Sequence, residues 1–288
     1  MLDSTVVAMG DDRWTTALEL VIASPFGTGF AAVWGALWGS FFNVAIHRVP
    51  LEQSVVRPAS RCPKCARPIR ALENVPILSW LALRGRCAGC REPISVRYPI
   101  VEALSLALAT WLWLRLLAHG GEPVHLVARF FFGFALVGVL LVLSGIDLDH
   151  MLIPDRITYP AIPIFLGAAL LLGDVPRWDL VLGPFVGYGL VAITAEVGRF
   201  ILKRDAMGYG DAKLMALVGA ALGWRAAVFV FFAAPFAGLA ILGPMLAVRG
   251  KGVRGVEVPY GPFLAAAAVG YLLYERELRE LFAALVPW

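Results

Sequence analysis

Long apolar segments separated by short polar stretches make up most of this chain. Eight of these segments approach the roughly 20 residues that an α-helix needs to cross a bilayer. They cover residues 24–46, 98–118, 126–146, 157–173, 179–202, 211–223, 226–248 and 259–274. The pattern predicts an all-α fold, a polytopic membrane helix bundle with about eight transmembrane segments. The segment 211–223 is the shortest, and its length suits a tilted or partly re-entrant helix.

The composition supports a membrane protein. Hydrophobic residues make up 59% and charged residues 16% of the 288 residues, and the mean hydropathy is +0.75. These values exclude an ordinary soluble domain. A secretory signal peptide begins with basic residues, whereas the first twenty residues are mainly acidic in charge and contain only Arg13 as a basic residue. We therefore expect the first apolar segment to be retained as a membrane span.

The distribution of Lys and Arg predicts the orientation of the chain in the membrane. If the N-terminus lies outside and all eight segments cross, most of the 25 basic residues fall in the loops of the inner side. This orientation places a cysteine-rich loop and four aspartates, Asp147, Asp149, Asp155 and Asp211, at the cytosolic face.

All four cysteines lie in one hydrophilic insert, as the pairs Cys62/Cys65 and Cys87/Cys90. Each pair is a Cys-x-x-Cys unit, and the 21 residues between the pairs slightly exceed the usual spacing of a four-thiolate zinc site. Disulfides are less favoured in a reducing cytosol, and a redox pair would need a βαβ pattern that is not evident. The sequence predicts a structural zinc site, because four thiolates leave no open position for water or substrate.

The cysteine insert separates two hydrophobic parts of the chain and is rich in basic residues. We predict a division into residues 1–46, with the first transmembrane helix, the insert 47–97, and the transmembrane part 98–288. The insert could not build a core of its own, so zinc is expected to fold it. Its positive charge favours the lipid bilayer as a partner over a specific anionic ligand, and no nucleic-acid partner is expected.

Two acidic motifs lie at the ends of apolar segments. One runs from Asp147 through Asp149 to Asp155, and the other ends at Asp211, 64 residues after Asp147. Carboxylates at a membrane boundary are costly unless they are solvated or paired. Two carboxylates that meet share a proton, which suits the acid and base roles of an aspartic protease. Gly208 and Gly210 would leave the backbone beside Asp211 open to an extended peptide substrate.

Other interpretations of these acids remain open at this point. The aspartates could simply end one helix and cap the next. A carboxylate-dependent membrane transporter would use acids near the bilayer midplane and repeated halves, and neither is evident. A non-enzymatic assembly factor whose zinc loop docks a partner would tolerate the loss of either Asp147 or Asp211.

Several further motifs accompany the acids in a fixed order, and together they resemble the type IV prepilin leader peptidases, the bifunctional prepilin peptidase/N-methyltransferases of bacterial inner membranes. The resemblance covers residues from about 35 to 264. The matching strings are Gly39–Pro50, Cys62–Cys65, Leu72–Trp80, Arg84–Cys90, Ile94–Pro99, Asp147–Asp155, Gly208–Lys213 and Pro259–Pro262.

The resemblance implies that Asp147 and Asp211 are the two catalytic aspartates. Asp149 and Asp155 match the family pattern without being made catalytic by it, and we expect them to attract the substrate. The implied substrates are prepilins and pseudopilins, pilin-like secretion subunits with a short basic leader, a glycine before the cut and then a hydrophobic helix. The acidic residues would face that basic leader while Gly208 and Gly210 border the peptide.

The resemblance also implies N-methylation of the new N-terminal amine with S-adenosylmethionine. The sequence contains no strand–Gly-x-Gly-x-x-Gly–helix unit, so the cofactor site must differ from the soluble Rossmann type. By resemblance, the site involves the insert and its flanks, with Asn43 and Glu73 as candidate cofactor-binding residues. A peptidase without methyltransferase activity remains the alternative.

Overall fold

The structure, a computed structural model, describes residues 5–203, 208–249 and 258–285. Arg204, Lys251 and Arg254, which contribute to the predicted charge bias, lie outside the described residues. In the described part, the chain is almost entirely helical, and its only β-type pairs are two isolated bridges in the insert. The prediction of an all-α fold is therefore confirmed.

The described residues form eleven α-helices and one short 3-10 helix. The α-helices are α1 (Thr5–Ala23), α2 (Pro25–Arg48), α3 (Leu78–Ala82), α4 (Arg97–His119), α5 (Pro123–His150), α6 (Asp155–Leu172), α7 (Arg177–Leu202), α8 (Tyr209–Leu222), α9 (Trp224–Arg249), α10 (Gly261–Leu273) and α11 (Glu275–Leu285). The 3-10 helix covers Ala71–Asn74 in the insert. Each of the eight predicted segments is a helix, whereas the sequence analysis did not predict α1, α11 or the short α3 of the insert.

Five helices of the described part are long and apolar enough to cross a membrane: Pro25–Arg48, Arg97–His119, Pro123–His150, Asp155–Leu172 and Arg177–Ile201. They fit a multi-pass membrane protein. Two of the three remaining segments are shorter helices, with 14 residues in α8 and 13 in α10. Fourteen helical residues extend over only about 21 Å, less than the hydrocarbon core of a bilayer. The number of eight spans therefore stays a prediction.

The chain divides into two compact units, one of Met1–Ala45 with Ser54–Gly138 and one of Ile46–Gln53 with Val139–Trp288. In the first unit, α4 packs tightly on α2. A Cβ atom added to Gly35 or Gly39 would lie 2.7 Å from atoms of α4, and the hydroxyl of Ser105 donates to the carbonyl of Gly35 over 2.6 Å. Small residues four positions apart allow this close helix contact.

The second unit is built around α8. Almost every residue of this helix from Asp211 to Leu222 is buried, and α6, α7, α9 and α10 pack around it. The backbones of α7 and α8 touch where Gly183 faces Gly219, since a Cβ atom on either glycine would lie 2.0 Å from the other's carbonyl oxygen. This contact fixes the position of α8, and with it the position of the aspartate in its first turn.

Candidate active site and metal centre

Asp147 lies in the last turn of α5 and is 6% exposed. Its backbone carbonyl accepts the N–H of Met151, which closes the end of the helix over 2.8 Å. Its carboxylate Oδ2 accepts the N–H of Gly261, at the start of α10, over 2.9 Å. A side chain on residue 261 would collide with this carboxylate, because a Cβ atom there would lie 2.8 Å from Oδ2. The first turn of α10 thus holds Asp147 in place.

Asp211 lies in the first turn of α8 and is 9% exposed. The extended Gly208 precedes the helix, and its carbonyl accepts the N–H of Asp211 over 3.1 Å. The carboxylates of Asp147 and Asp211 lie close enough for their charges to interact, and half-buried Tyr260 lies within electrostatic range of Asp211. The fold therefore brings together two buried acids that are 64 residues apart in sequence.

The predicted substrate-binding residues surround this pair in different environments. Asp149 is exposed at the end of α5. Asp155 is also exposed, but it forms an ion pair with Lys213 of α8. Gly208 is exposed, and a Cβ atom there would have no neighbour closer than 3.7 Å, whereas a Cβ atom on Gly210 would lie 3.1 Å from Ile153. Gly208 is thus the more open of the two glycines, and Gly210 serves packing.

Three contacts near the acids were not predicted from the sequence. Gly261 supports Asp147, and in the sequence it stands out only as part of the matching string Pro259–Pro262 at the start of an apolar segment. Lys213 lies over the ring of Tyr159, 5.2 Å from its centroid, as well as pairing with Asp155. Together these contacts connect α5 to α10 and α6 to α8, the elements that carry the two acidic motifs.

A separate group of contacts surrounds Tyr209, the tyrosine inside the Gly-x-Gly-Asp turn. The hydroxyl of Tyr209 donates to Oε1 of Glu196 on α7 over 2.5 Å, and Arg199 forms an ion pair with the same carboxylate. The guanidinium of Arg199 also lies 5.9 Å from the centroid of the Tyr209 ring. The turn before Asp211 is thereby attached to α7.

The four cysteines of the insert form one cluster. The sulfur atoms of Cys62, Cys65, Cys87 and Cys90 all lie within 4.8 Å of one another, and those of Cys62 and Cys90 are 3.7 Å apart. The two pairs have the same local fold. In the first pair, the backbone N–H of Cys62 donates to the carbonyl of Arg67, and the N–H of Ala66 donates to the carbonyl of Cys62. In the second pair, the equivalent bonds run from Cys87 to Glu92 and from Arg91 to Cys87. The predicted grouping of these cysteines is confirmed, and they are positioned to bind a metal ion.

Backbone N–H groups favour the thiolate form at two of the four cysteines, whereas at Cys90 the backbone N–H of Glu92 is outweighed by burial and the neighbouring cysteine sulfurs, which raise the pKa of Cys90 to about 11. The backbone N–H groups of Cys65 and Lys64 donate to the sulfur of Cys62 and lower the pKa of that thiol to about 6. The pKa of Cys87 is lowered in the same way, first by the backbone N–H of Cys90. Because thiolates are the form that binds metal, and four of them repel one another at this distance, the donor set fits a divalent cation at its centre.

The candidate cofactor residues have partners in different elements. Asn43 is buried in α2, and its amide donates to the carbonyls of Gly39, over 3.3 Å, and Tyr98, over 3.0 Å. Glu73 lies in the 3-10 helix, where its carboxylate accepts the N–H of Arg70 and, over 2.6 Å, the guanidinium of Arg67. These bonds lower the pKa of Glu73, the backbone donor first and the guanidinium second. Both residues therefore have structural roles, and their binding of a cofactor stays a prediction.

Two family models match the chain. Residues 33–116 match the bacterial Peptidase A24 N-terminal domain, and residues 134–243 match the type IV leader peptidase family. The first match includes the cysteine cluster, and the second includes Asp147 and Asp211. No solved structure matches the chain at a significant level.

Curated relatives agree with these matches, and each of the following is a prepilin leader peptidase/N-methyltransferase. That of Dichelobacter nodosus is 36% identical over 91% of this chain and 96% of its own length. That of Neisseria gonorrhoeae is 33% identical over 89% of this chain and 93% of its own length. That of Myxococcus xanthus is 41% identical over 79% of this chain, and the alignment spans 65% of its own length. The chain therefore belongs to the type IV leader peptidase family, a family of enzymes.

Proposed function

We propose that this protein is a membrane-embedded aspartic endopeptidase. It cuts the basic leader from type IV prepilins and pilin-like secretion subunits at the cytosolic face of the bacterial inner membrane. It then methylates the new N-terminal amine with S-adenosylmethionine. The observation that carries the proposal is the pair of buried, interacting carboxylates at Asp147 and Asp211. The names of the curated relatives support the substrate class and the second activity.

The acid pair supplies the two roles that peptide hydrolysis needs. Two carboxylates at close range share one proton, so one is ionised and the other is protonated. We assign the base role to Asp147, because its carboxylate already accepts the N–H of Gly261, a bond that the ionised form makes best. Asp147 takes a proton from water as the water oxygen attacks the scissile carbonyl, and Asp211 donates its proton to the carbonyl oxygen. The carbon–nitrogen bond then breaks as Asp147 passes its proton to the leaving amine, and Asp211 recovers its proton from a hydroxyl of the tetrahedral intermediate as the carboxyl product forms.

The surroundings of the pair suit a basic leader followed by an apolar helix. We propose that exposed Asp149, together with Asp155, attracts the leader electrostatically. Gly208 offers an open backbone next to Asp211 along which an extended peptide could run. Gly210, which packs closely on Ile153, would border the same peptide on the other side of Tyr209. Asp147 lies at the end of the apolar helix α5 and Asp211 at the start of the apolar helix α8, so both carboxylates would lie near the membrane boundary, where the apolar part of such a substrate ends.

The cysteine cluster is proposed to hold a structural zinc ion. Cys62, Cys65, Cys87 and Cys90 would supply a closed tetrahedral shell, which has no position for substrate. When bound, the metal would join the two cysteine turns and stabilise the insert. The predicted functional division into residues 1–46, 47–97 and 98–288 assigns methyl transfer to this insert, with Asn43 and Glu73 as candidate cofactor contacts and S-adenosylmethionine as the methyl donor.

The test is cleavage of a prepilin in membranes that carry the wild type, Asp147→Asn or Asp211→Asn. Asp174→Asn is the matched control, because that aspartate is exposed in the connection between α6 and α7. Mass spectrometry of the pilin N-terminus measures cleavage, and an added mass of about 14 Da reports methylation. We expect both catalytic variants to lose cleavage while the control retains it. Cleavage by both catalytic variants at the wild-type rate would contradict the aspartic mechanism.

A further inference from the structure

The insert contains a strained turn in which Ile77 is the central residue. The N–H of Leu78 donates to the carbonyl of Pro76 over 2.6 Å, and Ile77 has φ = 63° and ψ = −53°. This is a γ-turn of the rare positive-φ type. A β-branched residue is a genuine outlier in this region of backbone space. Such strain persists only where the surroundings enforce it, so the contacts of Ile77 require an explanation.

The backbone N–H of Ile77 donates to the carboxylate of Glu102, with 2.7 Å between the nitrogen and Oε2. Glu102 belongs to the second turn of α4 and is 8% exposed. Its carboxylate also forms a hydrogen bond with the hydroxyl of Ser40 on α2. A buried carboxylate is costly without such donors, and here they come from two different elements. Glu102 therefore connects the strained turn to both α2 and α4.

The turn lies between the two functional parts of the insert. Glu73 precedes it by only four residues, in the 3-10 helix. On its other side, the indole N–H of Trp80 in α3 donates to the carbonyl of Ile94 over 3.1 Å. The same indole packs on Gly85, where an added Cβ atom would lie 2.8 Å from the ring. Gly85 leads directly into the second cysteine pair, so a shift of the turn would reach both Glu73 and Cys87.

The contact between Glu102 and α2 also connects Glu102 to the segment that carries Asn43, the other candidate cofactor residue. Ser40 lies three residues before Asn43 on α2. The amide of Asn43 in turn donates to the carbonyl of Tyr98, in the first turn of α4. Glu102 is thus bonded to both of the segments that carry Asn43 and Glu73.

We propose that Glu102 is a positioning residue for methyl transfer. It holds the Pro76–Leu78 turn in its strained form and thereby keeps the insert in a fixed position relative to α2 and α4. This inference rests on the proposed methyltransferase role of the insert. It assigns Glu102 no part in peptide cleavage and no direct contact with the methyl donor.

Three substitutions of Glu102 separate geometry from charge. Glu102→Gln keeps an oxygen acceptor at the same reach, Glu102→Asp keeps the charge but withdraws it from Ile77, and Glu102→Ala removes both. Full-length protein in membranes is given prepilin and S-adenosylmethionine, and the cleaved and methylated products are quantified. We expect the Asp and Ala variants to lose methylation by about tenfold to a hundredfold, as misplacement of a site typically costs. The Gln variant should retain it, and all three should cleave like the wild type.

Ile77 offers a second test of the same contact. Ile77→Gly keeps the N–H and adopts positive φ without strain, so it should methylate like the wild type. Ile77→Pro removes the N–H and fixes φ near −65°, so it should resemble Glu102→Ala. Glu19→Ala, which changes an exposed glutamate of α1, is the matched control.

Hydrogen exchange of the backbone amides of residues 77–80 measures the turn independently of activity. It should be faster in Glu102→Asp than in the wild type and unchanged in Glu102→Gln. Wild-type exchange in Glu102→Asp, undiminished methylation in Glu102→Asp, or an equal loss of cleavage and methylation would each overturn the proposal. If the wild type itself does not methylate, the proposed function fails, while the exchange measurement still decides whether Glu102 holds the turn.

Discussion

The proposed metal centre and the acid pair reach their geometry by opposite routes. Each cysteine pair is a local turn of a few residues, and the same backbone hydrogen bonds form in both pairs. Asp147 and Asp211, by contrast, are 64 residues apart and belong to different helices. Their positions depend on the packing of α8 against α7 and on the first turn of α10. A metal ion would unite two short turns, whereas the acids require much of a helical unit to be correctly folded.

This difference predicts separate sensitivities for the two activities. Damage to the metal centre should affect the insert and methyl transfer first. Damage to helix packing in the second unit should affect cleavage first. Substitutions in each of the two regions test this separation.

The largest effect should follow removal of the proposed zinc. Cys62→Ser and Cys87→Ser each remove one ligand of a centre that, by analogy with zinc fingers, contributes on the order of 10 kcal/mol to folding. We expect the purified variants to contain less zinc, to become sensitive to protease in the insert, and to lose methylation. Cleavage should persist, because a closed thiolate shell takes no part in hydrolysis.

Elemental analysis, limited proteolysis and the two product assays measure these consequences together. A wild type that contains no metal, or a serine variant that methylates normally, would contradict the proposed centre. Loss of cleavage together with methylation would show that the two activities are not separable in this way.

The next effect concerns the contact between α7 and α8. A Cβ atom on Gly187 would lie 2.1 Å from the backbone oxygen of Met215, whereas a Cβ atom on Gly189, in the same helix, would have no neighbour within 4 Å. Gly187→Ala should therefore destabilise the protein by about 1–3 kcal/mol or more. Gly189→Ala should be neutral or stabilising, because alanine favours a helix.

Residual cleavage activity after heating in detergent measures this difference. Equal midpoints of inactivation for Gly187→Ala and Gly189→Ala would contradict the close approach of α7 and α8. Zinc content should be unchanged in both variants, which distinguishes this effect from damage to the insert.

A more local effect is expected at Gly261. A Cβ atom there would lie 2.8 Å from Oδ2 of Asp147, so Gly261→Ala must displace either the carboxylate or the start of α10. We expect kcat for cleavage to fall by about tenfold to a hundredfold, as a displacement of about 1 Å can cost. Gly270→Ala, in the same helix but with open space around it, is the control. An unchanged kcat would show that Asp147 does not depend on this contact.

The same difference explains how much could be predicted from the sequence. The spacing of the cysteines was sufficient to predict their grouping, because a Cys-x-x-Cys turn is a local structure. The helices followed from the apolar pattern, with the exception of α1, the short α3 and α11. The latter contains ion pairs between residues four apart, Glu275 with Arg279 and Arg276 with Glu280. It therefore has too much charge to appear as an apolar segment.

Contacts between distant residues were beyond such reasoning. The family resemblance, rather than spacing, selected Asp147 and Asp211 from the acidic residues. Nothing local indicates that the N–H of Gly261 meets Asp147, 114 residues earlier. Likewise, Glu102 stands out in the sequence only as an acid inside an apolar segment, because its partner, the strained Ile77, is defined by the tertiary fold. Such positions satisfy the packed structure at the expense of local preference.

The smallest effect is expected for Asp149, on the side of the acid pair that would meet the substrate. Asp149 is exposed, and Asp149→Asn changes the charge near the site while leaving intact the ion pair between Asp155 and Lys213 that joins α6 to α8. We expect it to raise KM roughly two- to fivefold with little change in kcat, as the loss of one exposed charge contact would.

Varying the ionic strength tests whether the effect of Asp149→Asn on KM is electrostatic. Because exposed charges are screened, the difference in KM between the wild type and Asp149→Asn should shrink as ionic strength rises. A fall in kcat without a change in KM would place Asp149 in the chemistry rather than in attraction of the leader. A difference independent of salt would indicate a packing role. Only the expected pattern would show that the acidic end of α5 serves two purposes, with buried Asp147 for hydrolysis and exposed Asp149 for capture.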